Sequence, residues 1–248
     1  MSLFELDNVG YWYDRHQALD SVTLRVESGE RVALLGANGC GKSTLLRILD
    51  GLYIADSGRV QFQGTVLDEH NLSHPTFSYE FRRQVALLFQ NPDVQLFNPT
   101  VFDEVAFGPL QLRWPRERIL EKVEEMLQRL GITELKDRAP HRLSGGEKKR
   151  VALASVLVLD PAVLLLDEPT AALDPRSQTQ FVDLLRSLDH GRTVITATHD
   201  LDTVEDIADR CLVMQCGQII AEGSPRQILA DADLLERVNL VHAHRHAH

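Results

Sequence analysis

GANGCGKST, running from Gly36 to Thr44, is the stretch from which the rest of the chain is read. Glycines at 36, 39 and 41 let the backbone come close to an anion and turn N–H groups toward it, because a residue without Cβ neither blocks the approach nor resists positive φ. The apolar run Arg31-Val32-Ala33-Leu34-Leu35 before it reads as a buried strand, and Lys42 to Leu49 after it as a helix ending near Gly51. Strand, glycine loop and helix are the surroundings that a phosphate-binding loop requires. Gly36, Asn38, Gly39, Cys40, Gly41 and Thr44 are then expected to line the phosphates, with Lys42 reaching the β- and γ-groups and Ser43 ligating Mg²⁺. The helix N-terminus adds its partial positive charge. A bare glycine turn is the alternative reading of the same residues.

Two later segments supply what a triphosphate site lacks. In VLLLDEP, Val163 to Pro169, Asp167 follows the apolar run 162–166. It is therefore expected at the C-terminal edge of a buried parallel strand, where ligands bind in open α/β sheets, and is placed to hold the Mg²⁺ shell. Glu168 would project toward the γ-phosphate and accept a proton from an attacking water. In LSGGEKKR, Leu143 to Arg150, Ser144 has the character of an N-cap and Glu147 the capping-box spacing, so Gly145 and Gly146 open a helix whose N-terminus is a second anion site. Taken alone, Ser-Gly-Gly-Glu is an ordinary helix start.

In this order and at this spacing the three motifs resemble the nucleotide-binding subunit of an ATP-binding cassette (ABC) transporter, over roughly residues 3 to 230. The resemblance implies ATP and Mg²⁺ as ligands and a dimer closing on two ATP molecules, with Ser144, Gly145 and Gly146 touching the γ-phosphate held by the other subunit. It implies that Gln90, after a strand at 85–89, contacts Mg²⁺ or the lytic water and reports nucleotide state to integral membrane subunits. His199, after a strand at 193–198, corresponds to the histidine that holds the γ-phosphate, and Asp174 to the loop that crosses the dimer interface. Tyr13 stands where the family stacks an aromatic on adenine, with Tyr11 and Trp12 competing for the role. Glu168 and His199 are both retained, so both sites of a homodimer would be competent; a heterodimer with a related ATPase stays open.

The expected fold class is α/β: an ABC-type nucleotide-binding domain with a phosphate-loop parallel core sheet, an N-terminal antiparallel β subdomain and a helical subdomain. Residues 1–230 form that domain, with the helical part at about 91–160, and 231–248 carry a C-terminal helix and a His-rich tail. A helix is predicted from Pro115 to Leu130, where Ile119, Val123, Leu127 and Leu130 share a face, Pro115 suits N1 and Gly131 suits C′. Another runs from Asp174 as N-cap to about Leu188. No run of about 18 apolar residues occurs and the N-terminus MSLFELDN lacks a signal peptide, so the chain is expected in the cytoplasm, attached peripherally to the cell membrane through transmembrane subunits. Cys40, Cys211 and Cys216 lack CxxC spacing, against a disulfide framework or zinc site. Cys40, within the anion-binding loop, is expected to have a lowered thiol pKa. A net charge of −10 argues against a nucleic-acid partner.

Two features narrow the subclass. NPDVQLFNPTVFDEVAFGP, Asn91 to Pro109, resembles the segment after this glutamine in the ATPases of energy-coupling factor (ECF) importers of vitamins and transition metals, where it forms part of the groove for the coupling helices. Its apolar residues Leu96, Phe97, Val101, Phe102 and Phe107 fit core packing equally well. At the C-terminus His242, His244, His246 and His248 alternate, so an extended chain puts four imidazoles on one side, a ligand set for Ni²⁺, Co²⁺, Cu²⁺ or Zn²⁺. A tail that binds metal incidentally is the alternative. Together they resemble a nickel or cobalt importer's ATPase; a vitamin importer, a soluble ABC ATPase serving iron–sulfur assembly and a metallochaperone are the competing readings.

Overall fold

Strands β1 (Ser2–Tyr13) and β2 (His16–Glu27) pair antiparallel through a tight turn at Asp14, and β3 (Arg31–Leu35) then delivers the chain to the glycine loop. The computed structural model describes residues 2–188 and 191–241, so the alternating histidines His242, His244, His246 and His248 lie outside the described residues. After the loop come α1 (Lys42–Leu49), β4 (Ser57–Phe62), β5 (Thr65–Val66), α2 (Glu69–Ser73), α3 (Pro75–Gln84) and β6 (Val85–Leu88). Helices α4 (Val101–Gln111), α5 (Arg116–Arg129) and α6 (Gly145–Leu157) lead to β7 (Val163–Asp167), α7 (Pro175–Arg186) and β8 (Thr193–Thr198). The chain continues through α8 (Val204–Ile207), β9 (Arg210–Gln215), β10 (Gln218–Gly223), α9 (Pro225–Ala230) and α10 (Ala232–Arg237).

The strands build two sheets, one antiparallel in the order β2-β1-β4-β5, the other β10-β9-β3-β8-β7-β6. In the second, β9, β3, β8, β7 and β6 are parallel and β10 adds an antiparallel edge. The parallel strands are apolar at nearly every position because both faces are covered. Val32, Leu34, Val163 and Leu165 point into a core shared with the antiparallel sheet and α1. Ala33, Leu35, Leu164 and Leu166 point into the opposite core, shared with α4, α5 and α6. Each such valine or leucine contributes about 1.5–3 kcal/mol by burial. The parallel order puts the C-terminal ends of β3, β8, β7 and β6 along one edge, where the glycine loop and His199 follow directly, Asp167 is the last residue of β7 and Gln90 lies two residues past β6.

Local signals account for most helix ends. Ser144 and Ser224 complete capping boxes with Glu147 and Gln227, and Asp174 accepts from the amide of Ser177. Gly131, at φ 62°, closes the end of α5 as expected. Pro115 is the N-cap of α5 rather than N1, since its ψ of 141° is extended and the helical turn starts one residue later. Helices α2, α3 and α4 start on Asp68 as N-cap, Pro75 at N1 and Thr100 as N-cap, signals that the sequence reading did not use. Pro109 and Gly108 inside α4 look like helix breakers, yet Pro109 sits in the last turns, where the cap Thr100 and buried Val101, Val105 and Ala106 hold the helix in place.

Glu104 of α4 is 3% exposed and its carboxylate accepts from the amides of Phe97 (2.9 Å) and Asn98 (2.8 Å) and from Asn98 Nδ2 (3.2 Å). It is the anchor of the loop that precedes the helix. Glu104→Ala strands those donors, and chemical denaturation should show a loss of about 1–3 kcal/mol.

Candidate active site

The glycine loop takes its shape from what surrounds it. A Cβ on Gly41 would lie 2.6 Å from the carbonyl oxygen of Ala18 at a φ of 109°, and one on Gly36 would lie 2.4 Å from that of Met214. Strands β2 and β9 thus press on the loop from both sides, and only glycine fits. Gly41 is also the N-cap of α1 and offers no side chain to its first turn, so the amides there are left for a ligand. A cavity of about 400 Å³ opens in front of them, lined by Tyr13, His16, Ala18, Asn38, Gly39, Gly41, Lys42, Ser43, Thr44, Gln90 and Glu168.

Beneath this cavity lies a cluster of buried charge. Lys42, Asp167, Glu168 and Lys149 are each 4–5% exposed. Lys42 donates to the carbonyls of Gly36 (2.6 Å) and Ala37 (3.3 Å) and its Nζ is 3.5 Å from Glu168 Oε1. Ser43 Oγ donates to Asp167 Oδ1 at 2.8 Å, tying the start of α1 to the end of β7. Burial pushes the Asp167 carboxyl above its usual range, against the pull of the Ser43 hydrogen bond and of Arg47. Glu168 has a left-handed φ of 46°. Its amide donates to the carbonyl of Ala197 in β8 (2.9 Å), and its Oε2 is 2.9 Å from His199 Nδ1. Lys149 Nζ reaches from α6 to the carbonyls of Glu168 (3.1 Å) and Pro169 (2.8 Å), and burial pushes its ammonium down to about 8.

The other sequence-predicted residues fall into two groups. Tyr13 faces the cavity with its hydroxyl 3.3 Å from Thr44 Oγ1, whereas Tyr11 stacks on Tyr53 with ring centroids 5.1 Å apart, and Trp12 is absent from the lining. Ser144, Gly145 and Gly146 do not line the cavity. They lie at the N-terminus of α6, where Gly145 borders a separate space of about 320 Å³ with Gln90, Lys148, Ala171 and Leu173. Asp174 is close by: its carboxylate receives Ser177 Oγ (2.6 Å), which holds it below the usual carboxylate range, and a Cβ on Gly146 would be 3.1 Å from that same hydroxyl.

Cys40 is corrected. It does not line the first cavity but borders an adjoining one of about 280 Å³, shared with Met214, Cys216 and Val238. Burial raises its thiol pKa, outweighing the nearby Lys42, so it is not the activated thiol expected from its loop. Sequence reading missed His16, Ala18 and Lys149. The first two reach the cavity only through the β1–β2 turn, and only the phase of α6 separates Lys149 from exposed neighbours in GEKKR.

A glycine loop between strand and helix, with adjacent acids at the end of β7, a parallel strand separated from β3 by β8, defines a nucleoside-triphosphate hydrolase. Residues 19–171 match the ABC transporter family. The chain is 52% identical over 242 residues to the nickel import ATP-binding protein NikO of Rhodobacter capsulatus, covering 96% of this chain and 95% of that one. It is 44% identical to the energy-coupling factor transporter ATP-binding protein EcfA of Carboxydothermus hydrogenoformans, covering 95% and 86% respectively. The structure of cbiO1 from Clostridium perfringens, part of the ABC transporter complex cbiONQ, superposes with a TM-score of 0.81 at 38% identity, covering 96% of this chain and 95% of that one. The chain belongs to the ABC transporter family and is an ATP-binding, ATP-hydrolysing member of it.

Thiol reactivity should follow burial. Under alkylation at neutral pH, mass spectrometry should find exposed Cys216 labelled first, Cys40 more slowly, and Cys211, whose thiol burial pushes up to about 12, last.

Proposed function

We propose that this chain is the ATPase subunit of an ECF-type importer of a transition-metal ion, nickel or cobalt, working as a dimer attached to integral membrane subunits at the cytoplasmic face. The observation that carries the reading is the 52% identity to a nickel import ATP-binding protein over almost the whole of both chains. Among the described residues no helix is long and apolar enough to cross a membrane, so attachment falls to a partner. Residues 1–230 are the ATPase domain, with its helical part at about 91–160, and 231–248 the C-terminal helix and His-rich tail. Within that tail His242, His244, His246 and His248 are the candidate transition-metal ligands. Nothing in the charge pattern calls for nucleic acid.

In this reading the triphosphate lies along the loop from Gly36 to Thr44, with adenine against Tyr13. The long stem of Lys42 lets its ammonium pass from the Gly36 and Ala37 carbonyls to the β- and γ-phosphates. Ser43, Asp167 and Gln90 are an oxygen-only donor set, which fits a hard divalent cation such as Mg²⁺ and would neutralise phosphate charge when it is bound. Glu168 accepts the proton of the water attacking the γ-phosphorus while the bond to the ADP oxygen breaks. His199, held by Oε2 of Glu168, orients that carboxylate and donates toward the γ-phosphate. Ser144, Gly145 and Gly146 lie outside their own chain's cavity, which supports their acting on the partner's ATP across a dimer interface that also includes Asp174.

The segment after Gln90 divides its apolar residues between two tasks. Val101 is core, and Leu96 and Phe102 pack against it, but Val94 and Phe97 are each 67% exposed, Phe97 resting edge-on against Phe107 with centroids 4.9 Å apart. These two are the docking residues for the membrane subunits.

Glu168→Gln should cut hydrolysis by about 10²–10⁴-fold while an ATP-bound dimer accumulates in size-exclusion chromatography. Lys42→Ala should instead lose nucleotide affinity in a direct binding assay. Val94→Asp with Phe97→Asp should abolish co-purification with integral membrane proteins from detergent extracts and leave ATP binding intact. The wild-type complex should support uptake of nickel or cobalt; uptake of a vitamin alone would replace the substrate, and recovery of soluble partners only would overturn the importer.

A further inference from the structure

Two adjacent lysines on α6 point in different directions and hold different things. Lys148 Nζ pairs with Asp93 at 2.6 Å, on the segment after Gln90, and the same helix receives Gln95 Nε2 at the carbonyl of Ala152 (3.0 Å). Lys149 points inward, 5% exposed, with its two hydrogen bonds on consecutive carbonyls, those of Glu168 and Pro169. Those carbonyls belong to the first two residues after β7, the first of them a left-handed residue that is not glycine. Backbone in that conformation persists only when its surroundings hold it from more than one side. The amide of Glu168 is held by β8; its carbonyl accepts from Lys149 (3.1 Å) and from the amide of Ala171 in the following turn (3.2 Å), and only Lys149 ties it to another element.

We infer that Lys149 is a positioning residue for hydrolysis, fixing the backbone of Glu168 and coupling it to the helix that carries Ser144, Gly145 and Gly146. A lysine suits the task because one ammonium offers three donors that serve both carbonyls, and because its charge stands beside the buried Asp167 and Glu168 carboxylates opposite Lys42. Helix α6 thereby joins the docking segment through Lys148 and Gln95, the dimer interface through its N-terminus, and the hydrolytic carboxylate through Lys149. A shift of α6 on engagement of the partner's ATP moves the carbonyl of Glu168 with it, so that each site's base comes into register when the opposite site is filled.

The inference rests on Glu168 as the general base, and the experiment separates the two. Lys149→Met, Lys149→Gln and Glu168→Gln are compared in the full chain assembled with its membrane subunits, with thermal melting and direct ATP-binding measurements confirming the fold. Lys149→Met should lower kcat by about 10- to 100-fold, with KM and ATP affinity changed less than about threefold, since misplacement of a reacting group acts on turnover. Lys149→Gln, whose amide can still donate to the carbonyls, should recover a measurable part of kcat. Retained kcat in Lys149→Met with an inactive Glu168→Gln overturns the inference and leaves the base assignment standing. Parallel loss of ATP affinity and kcat, or a Gln variant no better than Met, also overturns it. Hydrolysis persisting in Glu168→Gln overturns the base assignment itself.

Discussion

Two carboxylates in succession, Asp167 and Glu168, are carried below the surface, and charges taken out of water at such short separation stand only if counter-charge and donors meet them there. Much of the architecture answers that requirement. Lys42 comes from α1 and Lys149 from α6, matching two buried anions with two buried cations; Ser43 donates to Asp167; His199, just after β8, meets the Glu168 carboxylate, while the Ala197 carbonyl of β8 accepts from the Glu168 amide. Removing one member of a buried pair costs about 3–5 kcal/mol, because the remaining charge stays behind. The site is thus a structural joint between four elements as well as a place for chemistry.

The parallel sheet makes the joint possible. Strands β3, β8, β7 and β6 run side by side in one direction, so residues far apart in sequence leave the sheet at one edge. Their burial on both faces is what keeps that edge in register: alternate side chains lock into the antiparallel sheet and α1 below and into the helices above. The glycine loop is shaped by the same packing, since β2 and β9 approach it too closely for any side chain at Gly41 or Gly36.

Helix α6 is the mechanical counterpart of that edge. Its capped N-terminus stands away from its own chain's cavity, its outward lysine grips the exposed segment near Val94 and Phe97, and its inward lysine grips the turn after β7. One helix is thus tied on one side to the segment after Gln90 and on the other to the turn after β7. The loop of Phe97 and Asn98 is held in turn by buried Glu104, so the exposed phenylalanine is presented on a fixed support.

Sequence by itself determined the phosphate loop, the Asp167–Glu168 pair, the capped start of α6 and the strand and helix at each of them, because each signal is local: a glycine spacing, an apolar run, a cap three residues from its acid. It also marked Gln90, His199 and Asp174 through resemblance to a family. It did not reveal α4, whose Gly108 and Pro109 read as breakers until Val101, Val105 and Ala106 are seen packed. Nor did it separate exposed Phe97 from buried Val101. Tertiary structure alone decided that Cys40 lies outside the cavity lining in a buried, raised-pKa setting, that Tyr13 rather than Tyr11 faces the cavity, and that Lys149 rather than Lys148 meets the carbonyls of Glu168 and Pro169. The physical reason is common to all three. Neighbouring residues of similar chemistry differ only in direction, and direction is set by what the rest of the chain packs against them.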